Sequence, residues 1–219
     1  MPTARESLLN AALAALAERP WSAVRMVDVA VAAGLSRQTL YNEFGSKDGL
    51  GRALVRREAD GYLRGVDRLL GEGSGAVEPL VAIAEWTVSE ARARPLLRAL
   101  LTGCWGEWLP LPTSADSDLP PAGTPAQRRA DAGAPRPAEV VALVRDRSLA
   151  ALTRGGCGFV PEQGGRHRGE EEPAALAHRC ELTMRLALSC VIAPAGEGVG
   201  RLIRTAVGSA PAGGDTEAG

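Results

Sequence analysis

Apolar residues recur at helical spacing along most of the chain. Leu8, Leu9, Ala12, Leu13 and Leu16 mark the inward face of a helix over about 5–18, which Arg19-Pro20 stops. Met26, Val29, Ala30 and Ala33 fall at i, i+3, i+4 and i+7 and predict a second, short helix over about 25–33. Gly34 ends it by entering the left-handed region, and Ser36 follows as N-cap of a third helix. That helix, about 37–44, turns Leu40 and Phe44 inward and leaves Arg37, Gln38, Thr39, Tyr41 and Asn42 on other faces. A short polar helix set by a tight turn against a short apolar one is the arrangement that enters a DNA major groove.

The pattern continues behind this unit. Gly45-Ser46 breaks the chain, and Ser46 caps a long fourth helix with Asp48 in its favourable first turn. Leu50, Leu54, Gly61, Tyr62, Val66 and Leu69 carry its stripe to about residue 70. Gly49, Gly51, Gly61 and Gly65 weaken it by up to ~1 kcal/mol each. Either close packing or bending accounts for that tolerance. Helix five is expected over about 76–93, helix six from Leu96 to about Trp108, and helix seven from Pro137, with Val140, Val141, Val144, Ser148 and Ala151 inward. Helix eight, about 174–193, carries Leu176, Cys180, Thr183, Met184, Ala187, Leu188 and Val191, with a second stripe of Leu182, Leu186 and Cys190. A last helix, about 197–208, carries Val199, Leu202, Ile203, Ala206 and Val207. Pro-, Ala- and Gly-rich stretches over about 110–136 and 153–173 read as mobile loops, and 209–219 as a disordered tail.

The fold class is therefore all-α. A three-helix helix-turn-helix domain is expected over 1–48 and a helical bundle over 49–208. Composition agrees. Hydrophobic residues make up 45% of the 219 while aromatics make up only 4%, so the core must be mostly Ala, Leu and Val, which favours helices packed on helices. No run reaches ~18 apolar residues, and no basic region with a long apolar run and cleavage site opens the sequence. No membrane association and a cytoplasmic location are expected.

Charge adds a qualification. The net charge is −1, and residues 1–50 balance Arg5, Arg19, Arg25, Arg37 and Lys47 against Glu6, Glu18, Asp28, Glu43 and Asp48. Placement outweighs the sum, because attraction to phosphate fades within about 8–10 Å. Lys47 is the only lysine among 25 basic side chains. The four cysteines, Cys104, Cys157, Cys180 and Cys190, read as small buried hydrophobes, with Cys157 the one candidate for an exposed thiol. Cys157, His167, His178 and Cys180 fit no zinc spacing, so no metal is expected. The acidic run Glu170–Glu172 reads as a solvated loop. No nucleophile–base set, phosphate-binding glycine loop or carboxylate pair stands out; the chain is not read as an enzyme, and no catalytic residue or cofactor is expected.

Residues 5–55 resemble the DNA-binding domain of the TetR family of bacterial transcriptional regulators. The resemblance rests on Val29-Ala30, Ala33-Gly34-Leu35-Ser36, Thr39-Leu40-Tyr41, Phe44 and Ser46-Lys47-Asp48 with Leu50, and upstream on Leu8 to Leu16 and Trp21. It implies that Arg37, Gln38 and Thr39 reach base edges, that Ser36, Tyr41 and Lys47 contact phosphates, and that Asn42 meets backbone or base. Two positions depart from the family pattern. Val24-Arg25 replaces a usual threonine, so Arg25 is either a phosphate contact or a solvated arginine. Glu43 replaces a histidine or aromatic residue, so it points away from phosphate or pairs with an arginine.

The resemblance further implies a small-molecule effector held somewhere in 75–190. Trp86, Trp105 and Trp108, read onto helices five and six, either line that pocket or fill an aliphatic core; the surroundings suit a lipophilic effector. Leu182, Leu186, Val199, Leu202, Ile203 and Ala206 are expected in a four-helix homodimer interface, with internal burial as the other account of these stripes. Together these imply a homodimeric repressor, released from a palindromic operator in double-stranded DNA by its effector. The alternative is a small-molecule-binding helical protein or enzyme that keeps a vestigial DNA-binding domain.

Overall fold

A capping box starts the first helix. The Thr3 hydroxyl accepts the Glu6 backbone N–H (3.2 Å), and the Glu6 carboxylate accepts the Thr3 N–H (2.9 Å). α1 (Ala4–Glu18) buries Leu8, Leu9 and Ala12, while Leu13 and Leu16 are half-buried. A 3-10 turn, Trp21–Ala23, leads into α2 (Met26–Ala32), which buries Val29 and Ala30. Gly34 takes φ +67, as its position requires, and the Leu35 N–H reaches back to the Ala30 carbonyl (2.9 Å). α3 (Arg37–Phe44) buries Leu40 and Phe44, and α1, α2 and α3 pack on one another. The Ser46 hydroxyl caps α4 (Lys47–Glu72) by accepting the Gly49 N–H (3.0 Å).

The computed structural model describes residues 2–73, 75–111, 135–154 and 171–208. Most of the two expected loops, the tail from 209, and Cys157 and His167 lie outside them. The remaining helices are α5 (Glu78–Ala93), α6 (Pro95–Thr102), α7 (Pro137–Arg154), α8 (Glu171–Ile192) and α9 (Val199–Gly208). The described residues hold no strand, and no described helix is long and apolar enough to cross a membrane.

Contacts group the chain into two units: Met1–Tyr62 with Pro95–Pro137, and Leu63–Arg94 with Ala138–Gly219. The division falls inside α4. The first half of α4 buries Leu50, Leu54, Val55 and Tyr62 in the N-terminal unit. That unit also takes in α6, where Leu96, Leu97, Ala99, Leu100 and Leu101 are buried.

Helix six is shorter than its apolar pattern suggests. Gly103 turns out of it at φ +73, so Trp105 and Trp108 lie beyond its end. Cys104 is consequently exposed, against the expectation of burial. Cys180 and Cys190 are buried, and desolvation pushes the Cys180 thiol up to about 11, so it stays protonated near neutral pH.

In the second unit α5 packs on α8 and α9, which also pack on each other. The core includes Leu80, Ile83, Ala84, Val88, Val140, Val144, Met184 and Ala187. Val199, Ile203 and Val207 form the buried stripe of α9, at 8%, 0% and 2% exposure. Val199 and Ile203 therefore belong to the subunit's own core; they are not available to a partner. The buried stripe of α9 faces α5 and α8 of its own subunit. Leu202 and Ala206 stay exposed, Leu182 and Leu186 are half-buried, and Ile192 is 64% exposed at the end of α8. The Arg204 guanidinium makes two hydrogen bonds to Glu78 (3.1 and 3.0 Å), which hold that carboxyl below the usual carboxylate range. Trp86 of α5 is half-buried with its ring against Gly65 of α4. A β-carbon on Gly65 would stand 2.1 Å from Trp86 Cη2, so this glycine serves close packing.

Candidate nucleic-acid interface

Ser36 sets the start of α3. Its hydroxyl accepts the Thr39 N–H (3.0 Å) and lies 2.9 Å from the Thr39 hydroxyl. With Leu40 and Phe44 buried, the 3.6-residue period turns the other side chains outward. Arg37, Gln38 and Asn42 are exposed, and Thr39 and Tyr41 half-buried. Two pairs at i, i+4 organise this face. The Arg37 guanidinium lies 5.3 Å from the Tyr41 ring centroid. Gln38 Nε2 donates to Asn42 Oδ1 at 2.8 Å. Asn42 is thereby tied to the Gln38 side chain, a link that spacing alone permits but does not reveal.

The Glu43 alternative resolves. Arg5 of α1 reaches the Glu43 carboxylate and its backbone carbonyl, both at 3.3 Å, and lies 4.7 Å from the Phe44 ring centroid. The carboxylate is drawn to a cation of its own domain. Arg5 carries no spacing signal that could have exposed this role.

Lys47 stands at the first turn of α4. Its ammonium donates to the Ser22 carbonyl (3.1 Å) and lies 5.3 Å from the Trp21 ring centroid. Desolvation lowers its pKa, and Asp48 opposes the shift. Arg25 is exposed at the N-cap of α2 and its side chain caps nothing. These residues all belong to the N-terminal unit.

The three tryptophans do not share one unit. Trp86 belongs to the second, and Trp105 and Trp108 to the first, where Trp108 is 56% exposed. Two open clefts, of about 570 and 760 Å³, lie in the second unit, and none of the three tryptophans lines either. His178 is exposed and Cys180 buried, and among the described residues no His, Cys, Asp and Glu cluster could hold a metal ion.

Residues 8–54 match the family described as bacterial regulatory proteins, tetR family. The HTH-type transcriptional regulator AlkX of Mycobacterium tuberculosis is 42% identical over 100 residues, covering 45% of this chain and 47% of that protein. The chain thus matches about half the length of this curated relative. The crystal structure of the TetR family repressor AlkX from Dietzia sp., implicated in biodegradation of n-alkanes, superposes with a TM-score of 0.50 at 22% identity, over 93% of this chain and 91% of that one. A TetR transcriptional regulator from Rhodococcus sp. gives a TM-score of 0.45 at 20% identity, covering 94% of each chain. Residues 8–54 thus carry the helix-turn-helix sequence of that family, and the described residues share an all-helical fold with the Dietzia repressor.

Proposed function

We propose that the chain is a sequence-specific transcriptional repressor that acts in the cytoplasm, as a homodimer on a palindromic operator, and is released by a small lipophilic effector. The observation that carries this reading is the outward face of α3. A helix capped by Ser36 and anchored by Leu40 and Phe44 presents Arg37, Gln38, Thr39, Tyr41 and Asn42 to the exterior. In this reading Arg37, Gln38 and Thr39 meet base edges, with Arg suited to guanine and Gln to adenine. Ser36, Tyr41, Lys47 and the exposed Arg25 meet phosphates, and Asn42 acts with Gln38. Trp86 remains a proposed lining residue for the effector, whose lipophilic class rests on the aliphatic core of the second unit.

A gel-shift titration against the DNA upstream of its own gene, with salt varied, tests the reading. Two cationic phosphate contacts per subunit, Arg25 and Lys47, predict a slope of log affinity on log salt of about −4 for a dimer. An Arg37→Ala, Tyr41→Ala variant should lose this binding; weak binding shared by the variant would count against a specific regulator. Single substitutions separate the roles. Lys47→Ala should weaken binding to all sequences and reduce the slope by about one per subunit, whereas Gln38→Ala should change base preference by about 1–3 kcal/mol at one position. Equal behaviour of the two would refute the division.

The dimer proposal is carried by Leu182, Leu186, Leu202 and Ala206, joined by Ile192. Leu202→Ala should raise the dimer dissociation constant by about tenfold in sedimentation equilibrium, as loss of one interface anchor does. An unchanged constant would remove this face from the interface.

A further inference from the structure

The segment that follows α6 returns to the helix-turn-helix unit at one place. The Trp108 carbonyl accepts the Trp21 backbone N–H (3.0 Å), and the Leu109 N–H closes a turn onto the Gly106 carbonyl (3.1 Å). Pro110 is buried behind that turn. A β-carbon on Gly51 would stand 3.0 Å from Pro110 Cβ and 3.3 Å from Trp21 Cζ2. The indole edge and the proline ring therefore share the bare backbone of Gly51. Lys47 lies one turn earlier on α4, with its ammonium near the Trp21 ring and donating to the Ser22 carbonyl.

We propose that residues 106–110 form a clasp that positions Lys47 by fixing Trp21 and the 3-10 turn. The inference rests on the DNA-binding reading and adds Gly51, Trp108 and Pro110 to the residues on which that binding depends. A lysine ammonium is a point charge on a flexible stem with three donors. Here Ser22 takes one donor and the indole lies beside the ammonium, which leaves donors for a phosphate oxygen. Ordering the stem before DNA arrives lowers the entropy lost on binding. The Trp21–Trp108 backbone bond fixes the start of the 3-10 turn, and Pro110 and the indole both border the space over Gly51. None of these three residues need touch DNA.

The test uses the full-length protein and a duplex selected from a random-sequence pool. Gly51→Ala inserts a methyl group against both Trp21 and Pro110, while alanine favours the helix of α4. Pro110→Gly removes the ring that closes the clasp. Each should weaken binding about three- to fivefold, the range of an exposed cation–π contact. Each should also flatten the salt dependence toward that of Lys47→Ala, a change that a general loss of packing does not produce. In a Lys47→Ala background both substitutions should have no further effect. Wild-type binding that Gly51→Ala and Pro110→Gly leave unchanged, or losses that persist in the Lys47→Ala background, overturns the clasp and leaves the DNA-binding reading intact. Failure of the wild type to enrich any duplex overturns both.

Discussion

Phe44→Ala should destabilise the N-terminal unit by about 3–5 kcal/mol, a large share of an ordinary stability of about 5–15 kcal/mol. The ring is 1% exposed and, with Leu40, it anchors α3 against α1 and α2. Truncation removes its apolar area and leaves a cavity that the short helices can only partly close. It also removes the ring beneath the Arg5 guanidinium, which holds Glu43. A thermal melt followed by circular dichroism should shift down by about 12 °C or more on the scale of a 60–100-residue domain. Phe44→Leu should lose much less, because it keeps most of the buried volume. A shift below about 5 °C for alanine would mean that the ring does not anchor α3.

Gly65 and Trp86 should show an effect that changes sign with its partner. In the native chain Gly65→Ala places a methyl group inside the Trp86 ring and should cost about 1–3 kcal/mol, since the ring must leave its seat. Once Trp86→Ala has removed the ring, the same Gly65→Ala should stabilise by about 1 kcal/mol through helix propensity. Chemical denaturation of the four proteins in this cycle reads the coupling directly. The same sign in both backgrounds would show that Gly65 is not a seat for the indole.

Helix three is the element most legible in the sequence, and the reasons are local. Ser36 supplies a cap, Leu40 and Phe44 repeat at i, i+4, and Gly34 and Gly45 fence the two ends. The capping box of Thr3 and Glu6 is equally local and could have been read from its T-x-x-E spacing. The end of α6 is harder, because glycine carries two meanings. Gly103 stops that helix at positive φ, while Gly49, Gly51 and Gly65 sit within α4. Only the tertiary partners tell them apart. The stripe on α9 has the same ambiguity in another form. Periodicity identifies Val199 and Ile203 as facing something apolar, but it is silent on whether that is α5 and α8 or a second subunit. Arg5–Glu43 and Trp21–Trp108 join residues far apart in sequence, so no local period could announce them.

The solitary lysine gives the molecule an unusual chemical address. Lys47 is the one side-chain primary amine in the sequence. Burial lowers its pKa, which enlarges the unprotonated, nucleophilic fraction at any given pH. Acylating reagents that modify lysine will therefore act on a single side chain, at the start of α4 beside Trp21. Each such event replaces an ammonium with a neutral amide and removes the charge from that spot. An amine-directed reporter group attached there would sit where the proposed complex with DNA forms, without any engineered residue.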